Sequence, residues 1–217
     1  MNKINCKYIF FDLDGTLTQS DPGITKSIEY ALNKNNIVSP SCEELKIFVG
    51  PPLREKFIEI FGVDQEIADR LLDSYRQRYN TIGKFECNIY DGVNEMLEEL
   101  RNKGKVLCVA TSKPENSAKE ILEHFDLLKH FDFVGGDTFN HTRANKSAVI
   151  NYVAESMGIK DRNDIIMVGD THYDVLGASE SDVKCIGVLY GYGTREGLEE
   201  AGAYALAEEA SKIADLF

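Results

Sequence analysis

Five short apolar runs recur along the chain: KYIFF (7–11), VLCVAT (106–111), FDFV (131–134), DIIMVG (164–169) and VKCIGV (183–188). Each has the length of a strand. Their hydrophobicity is continuous rather than alternating, as in strands covered on both faces. Helical stripes lie between most of them. GVNEMLEELRNK (92–103) places Val93, Met96, Leu97 and Leu100 on one face and stops at Gly104, and residues 115–128 and 146–157 repeat that pattern. Strands separated by such helices predict a parallel sheet with crossover helices on its faces, a three-layer α/β core.

From residue 18 to 84 the pattern changes, because no strand-like run occurs and helical signals follow one another. Asp21 reads as a helix cap with Pro22 at the first helical position and Ile24, Ile28, Ala31 and Leu32 on one stripe. Ser41 and Glu44 have capping-box spacing. Leu53, Phe57 and Ile60 form a third stripe, and Ile67, Leu71, Tyr75 and Tyr79 a fourth after Asp64. The domains expected are therefore a core of 1–17 with 85–217 and an all-helical insert of 18–84, placed to act as a mobile lid.

The chain has 217 residues, 43% hydrophobic and 28% charged, values of an ordinary globular protein rather than a disordered or fibrous one. Its net charge of −12 opposes binding to nucleic-acid polymers and anionic membranes. Nine basic and ten acidic residues fall within 18–84, leaving 15 and 26 elsewhere, so the acidity belongs to the α/β part. No run approaches a membrane span, and the opening segment reaches Asp12 after only four apolar residues, unlike a secretory signal. The five cysteines (6, 42, 87, 108 and 185) contain no CxxC pair, which suits a reducing, cytoplasmic compartment.

Ligands of open α/β sheets bind at the carboxyl ends of the strands, so the polar residues that follow each apolar run are the candidates. Asp12, Asp14, Gly15 and Thr16 follow the first; Thr111, Ser112 and Lys113 the second; Asp170, Thr171 and Asp174 the fourth; and Lys146 opens the helix before the fourth. Several carboxylates on one rim repel one another by about 4 kcal/mol per close pair at an effective dielectric near 20, so a cation must sit among them. Oxygen-only donors favour Mg²⁺ over Zn²⁺. With Lys146, Gly15, Thr16 and the Thr111 and Ser112 hydroxyls and amides, such an ion makes a cradle for a phosphate dianion. Asp12, already ionised at neutral pH, is the candidate nucleophile. Asp14 is the candidate acid and base, and Gly15 allows a sharp turn beside the phosphoryl group.

FFDLDGTLT (10–18), VATSK (109–113), Lys146 and VGDTHYDVLGA (168–178) resemble, in order and spacing, the four motifs of the haloacid dehalogenase superfamily. GPPLREKF (50–57), IYDGVNEMLEELRNKG (89–104) and GVLYGYGTREGLEEAGA (187–203) are most similar to its phosphoglycolate phosphatase and 5′-nucleotidase-like group. The resemblance implies a Rossmann-like core with five parallel strands in the order 3-2-1-4-5 and a small helical cap. It also implies Mg²⁺ dependence, with Asp12, Asp14 (through its backbone carbonyl) and Asp170 at the metal and Asp174 beside it or beside Lys146. Thr111 and Lys146 would hold the phosphoryl group. The expected activity is hydrolysis of a small phosphomonoester, with Pro52 and Arg54 of the insert as candidate specificity residues. A sugar phosphomutase using the same phosphoaspartate, and a non-catalytic receiver-like phosphoacceptor, are the alternatives. Lys146 is followed by Ser147 and Ala148, where phosphoglycolate phosphatases and β-phosphoglucomutases usually carry KPxP.

Overall fold

The structure is a computed structural model that describes residues 3–50, 52–138, 143 and 145–217. The elements are β1 (Tyr8–Phe11), β2 (Thr18–Gln19), α1 (Asp21–Lys34), α2 (Leu53–Phe61), α3 (Gln65–Tyr79), β3 (Asn88–Ile89), α4 (Val93–Asn102), β4 (Val106–Pro114), α5 (Glu115–His124), β5 (Phe133–Asp137), α6 (Lys146–Ser156), β6 (Ile165–Gly169), α7 (His172–Ser179), β7 (Lys184–Val188), α8 (Arg195–Glu200) and β8 (Ala205–Ala207), with short 3-10 turns between them. They form two compact units, one of residues up to Thr18 with Ile89–Phe217, the other of Gln19–Asn88. β2 and β3, through which the chain crosses between the units, pair as a two-stranded ribbon.

In the first unit the sheet runs β5-β4-β1-β6-β7-β8, and all its pairings are parallel. β1 is central: Tyr8 lies opposite Val106 of β4 on one side and Ile165 of β6 on the other. Phe10, Cys108, Met167 and Cys185 share one face of the sheet and pack against Val149, Ile150 and Val153 of α6, Val175 and Ala178 of α7, and Leu198 of α8. Alternation sends Ile9, Phe11, Leu107 and Val109 to the opposite face, and they too are fully buried. Burial on both faces explains why these strands read as unbroken apolar runs. It also makes the thiols inert, since burial pushes Cys108 up to about 12 and holds Cys185 well above its usual value.

The expectation of five strands is corrected to six. The five strands anticipated take the order expected of them, and β8 adds to the β7 edge, with Ala205–Ala207 opposite Ile186–Val188. Three residues, two of them alanine, carry no strand signal of their own; β8 forms because the exposed backbone edge of β7 supplies its hydrogen bonds.

The second unit is built on α1, α2 and α3. Ile24, Ile28, Ala31 and Leu32 of α1 are buried, as are Leu71, Tyr75 and Tyr79 of α3. Asp64 caps α3 by accepting from the Ile67 amide at 2.8 Å. α1 starts one residue earlier than its sequence signals suggest: Ser20 occupies the cap position, and Asp21, inside the helix, faces Lys46 at 3.7 Å. Ser41 and Glu44 do bond reciprocally, but onto a 3-10 turn, Glu44–Phe48. Ile60 is exposed, and Phe61 instead stacks on Phe48 with centroids 5.9 Å apart. The unit runs on to Asn88, beyond the expected 84, because Glu86 is tied back to Arg78 at 2.6 Å and to Lys26 at 3.2 Å. No described helix is long and apolar enough to cross a membrane.

Phe10 is fully buried at the centre of the sheet. Phe10→Ala should cost about 3–5 kcal/mol, whereas Val38→Ala, at a side chain 90% exposed, should stay within about 0.5 kcal/mol. Urea denaturation of the two variants checks the contrast.

Candidate active site

The carboxyl ends of β1, β4 and β6 and the start of α6 bring the candidate residues together. Asp12 leaves β1 with its amide donating to Val168 O of β6 at 2.9 Å, so its backbone is still held by the sheet. The chain then turns tightly. Leu17 and Thr18 amides both return to Leu13 O at 2.9 Å, and Gly15 takes φ +83°. Gly15 has a second reason to be glycine, since a Cβ there would lie 2.1 Å from Asp170 Oδ2.

Beyond β6, Thr171 and Asp174 form a capping box on α7. The Thr171 amide and hydroxyl donate to Asp174 Oδ2 at 3.0 and 2.8 Å. That contact turns the Asp174 carboxylate back over the strand end, where a Cβ at Gly169 would meet it at 2.3 Å. α6 is capped by Asn145, which accepts from the Ala148 amide at 2.8 Å, and its first residue is Lys146. The Lys146 ammonium is buried, 2.9 Å from Asp12 Oδ1, 2.8 Å from Asp174 Oδ1 and 3.3 Å from Ala110 O.

Asp12, Asp170 and Asp174 offer oxygens that all lie within 4.8 Å of one another. Lys146 compensates one of these three negative charges, so the pocket is short of positive charge by two. The consequences appear in the acids. Burial, then the Asp174 charge, pushes Asp12 up to about 6, with Lys146 pulling the other way. Burial followed by Asp174 and Asp12 holds Asp170 well above the usual carboxylate range. Burial also works against the Lys146 charge, but Asp12 and Asp174 more than offset it and raise its pKa. Oxygen-only donors with an uncompensated charge of two fit a hard divalent cation such as Mg²⁺.

Thr16 and Thr111 are buried at this rim. The Thr16 hydroxyl points to Asp170 Oδ1 at 3.4 Å, and Thr111 Oγ1 accepts from the Lys113 amide at 3.2 Å. Ser112 is exposed. Asp14 stands outside the carboxylate cluster, with Oδ2 2.9 Å from Lys113 Nζ. Pro52 and Arg54 lie in the other unit. Pro52 is exposed at the start of α2, and the Arg54 guanidinium is engaged by Asp69 of α3 at 2.5 and 3.1 Å. His172 opens α7 in an exposed position beside Tyr173, consistent with a solvated side chain.

One contributor carries no site signal in the sequence. The loop after β7 donates the Tyr192 amide to Asp170 Oδ2 at 2.8 Å and the Tyr190 hydroxyl to Thr16 O at 3.0 Å. Gly191 and Gly193 let that loop approach, because a Cβ at either would sit 2.3 Å or less from Asp170 atoms. The spacing of Gly191, Gly193 and Gly197 carries no ligand motif of its own, and only the contact with Asp170 reveals the use of this loop. Lys113, a candidate from its place after the second apolar run, gains from the structure the partner that the VATSK motif does not name, Asp14.

A family model described as haloacid dehalogenase-like hydrolase matches residues 9–188. The chain is 40% identical to a 5′-nucleotidase of Pseudomonas aeruginosa over 88% of its own length and 86% of that protein. It is 33% identical to the tyrosine-protein kinase PtkA of Mycobacterium tuberculosis over 94% of its length and 69% of that protein. The crystal structure of a predicted phosphatase from Clostridium acetobutylicum superposes with a TM-score of 0.90 at 43% identity, covering 97% of each chain.

With Asp12 raised to about 6 in the folded chain against an ordinary value near 4, its contribution to metal-free stability is present below pH ~4 and lost as pH rises through about 6. Added Mg²⁺ should therefore raise the melting midpoint more at pH 7.5 than at pH 5. Asp170→Asn should raise the metal-free midpoint at pH 7.5, by about 2–4 °C for each kcal/mol of repulsion relieved, while reducing the Mg²⁺-induced shift. Differential scanning fluorimetry with EDTA and with Mg²⁺ checks both.

Proposed function

The chain belongs to the haloacid dehalogenase-like hydrolases and is a phosphoric monoester hydrolase, and from that premise we propose a Mg²⁺-dependent phosphatase of small metabolites that works through an aspartyl phosphate on Asp12. The substrate class is a nucleoside monophosphate-like or phosphoglycolate-like phosphomonoester. The observation that carries this reading is the Asp12 carboxylate, anchored at the sheet end by buried Lys146 at 2.9 Å amid two further buried aspartates.

Oδ1 of Asp12 takes both the Lys146 contact and the Leu13 amide, at 2.8 Å. Oδ2 is then the oxygen presented to phosphorus. Its attack forms the acyl phosphate as the ester P–O bond breaks, and Asp14 gives a proton to the departing oxygen. Asp14 next takes a proton from the water that attacks the phosphorus, which releases inorganic phosphate and restores the Asp12 carboxylate. Lys146 and the Thr111 hydroxyl hold the phosphoryl oxygens, while Thr16 and Gly15 shape the turn beside them. Asp12, Asp170 and the Asp14 carbonyl would hold Mg²⁺, which when bound neutralises the excess carboxylate charge and that of the incoming phosphate. Asp174, occupied by Lys146 and Thr171, orients the lysine.

Purified protein should release phosphate from nitrophenyl phosphate with Mg²⁺ and lose that activity in EDTA. Asp12→Asn should lower kcat by at least about a thousandfold while leaving the fold intact by circular dichroism. Acid-quenched enzyme should carry hydroxylamine-sensitive phosphate that maps to Asp12; turnover by Asp12→Asn at the normal rate would refute the mechanism.

A further inference from the structure

The mechanism leaves one buried cation beside the site unused. Lys113 lies where the β4 register is interrupted between Ala110 and Pro114, and its side chain is only 7% exposed. Its ammonium reaches across from the end of β4 to Asp14 Oδ2, 2.9 Å away, in the turn after β1. At the other end of the residue, the Lys113 amide donates to Thr111 Oγ1, so the lysine is registered against the residue proposed to hold the phosphoryl group. The Asp14 backbone is fixed by its bridge to Thr18, but that leaves the two side-chain torsions of the aspartate to be set by something else.

We infer that Lys113 is a positioning residue for Asp14, holding one carboxylate oxygen so that the group is aimed at the oxygen leaving phosphorus. The inference rests on the reading of Asp14 as the proton donor. A charged partner suits this task because an ion pair with little exposure is less screened than a surface pair. Proton transfer demands hydrogen-bond geometry, and a carboxylate free to swing would spend part of its time out of reach.

The consequence is a dependence on the leaving group. A nitrophenolate departs without a proton, whereas the alkoxide of an alkyl phosphate needs one. In Lys113→Met, which keeps the stem and removes the charge, kcat/KM for the better of a nucleoside 5′-monophosphate or phosphoglycolate should fall by about tenfold to a hundredfold more than kcat/KM for nitrophenyl phosphate. Lys113→Arg should recover part of that difference. Asp14→Asn should show the same selective loss, and adding Lys113→Met to it should cost little more. Equal losses on both substrates in Lys113→Met, or a further full loss on top of Asp14→Asn, would overturn the positioning role while leaving Asp14 as the acid. An Asp14→Asn variant without leaving-group selectivity would overturn the reading of Asp14 itself, and the inference with it. Circular dichroism and the thermal midpoint of each variant report whether it has folded.

Discussion

Three clustered carboxylates, two of them fully buried, share one lysine, and that imbalance organises the first unit. Lys146 sits between Asp12 and Asp174 with both contacts under 3 Å, and Asp170 shares the cluster with no such cation of its own among the described contacts. Burying charge without compensation is expensive, and a cation held among these carboxylates would offset part of that cost. The raised acids are the thermodynamic sign of that tension.

The fold holds the tension by close approach rather than by bulk. Asp12 remains hydrogen-bonded into the sheet, and Asp174 is locked by a helix cap. Glycines at 15, 169, 191 and 193 admit backbone and carboxylate to distances that any side chain would block. The apolar strands beneath supply rigidity, because Phe10, Cys108 and Met167 pack against α6, the helix that delivers Lys146. Core packing and site geometry are thus one arrangement, and a shift of α6 would move the lysine away from both aspartates.

Much of this was legible in the sequence for a definite reason. Strands buried on both faces must be apolar throughout, and carboxyl-end residues of a parallel sheet must follow those strands. Asp12, Thr111 and Asp170 could therefore be collected at one rim from spacing alone. Lys146 follows no strand; it was found through the start of its helix. Pro52 and Arg54 illustrate the opposite case, since the sequence marks a turn and a cation but not that Asp69 of α3 occupies the guanidinium.

What the chain determined by itself was local: the periodicities of strand and helix, the Ser41–Glu44 capping pair, and the set of residue types able to handle a phosphoryl group. Tertiary structure decided everything that depends on distances between remote segments. β8 exists because β7 has an open edge, not because its alanines favour a strand. The loop at 190–193 matters because it meets Asp170, 22 residues from Tyr192 in sequence. Lys113 matters because two strand ends place it 2.9 Å from Asp14. Hydrophobic period is a short-range property of sequence, whereas charge pairing falls off with spatial separation, and only the folded chain fixes that separation.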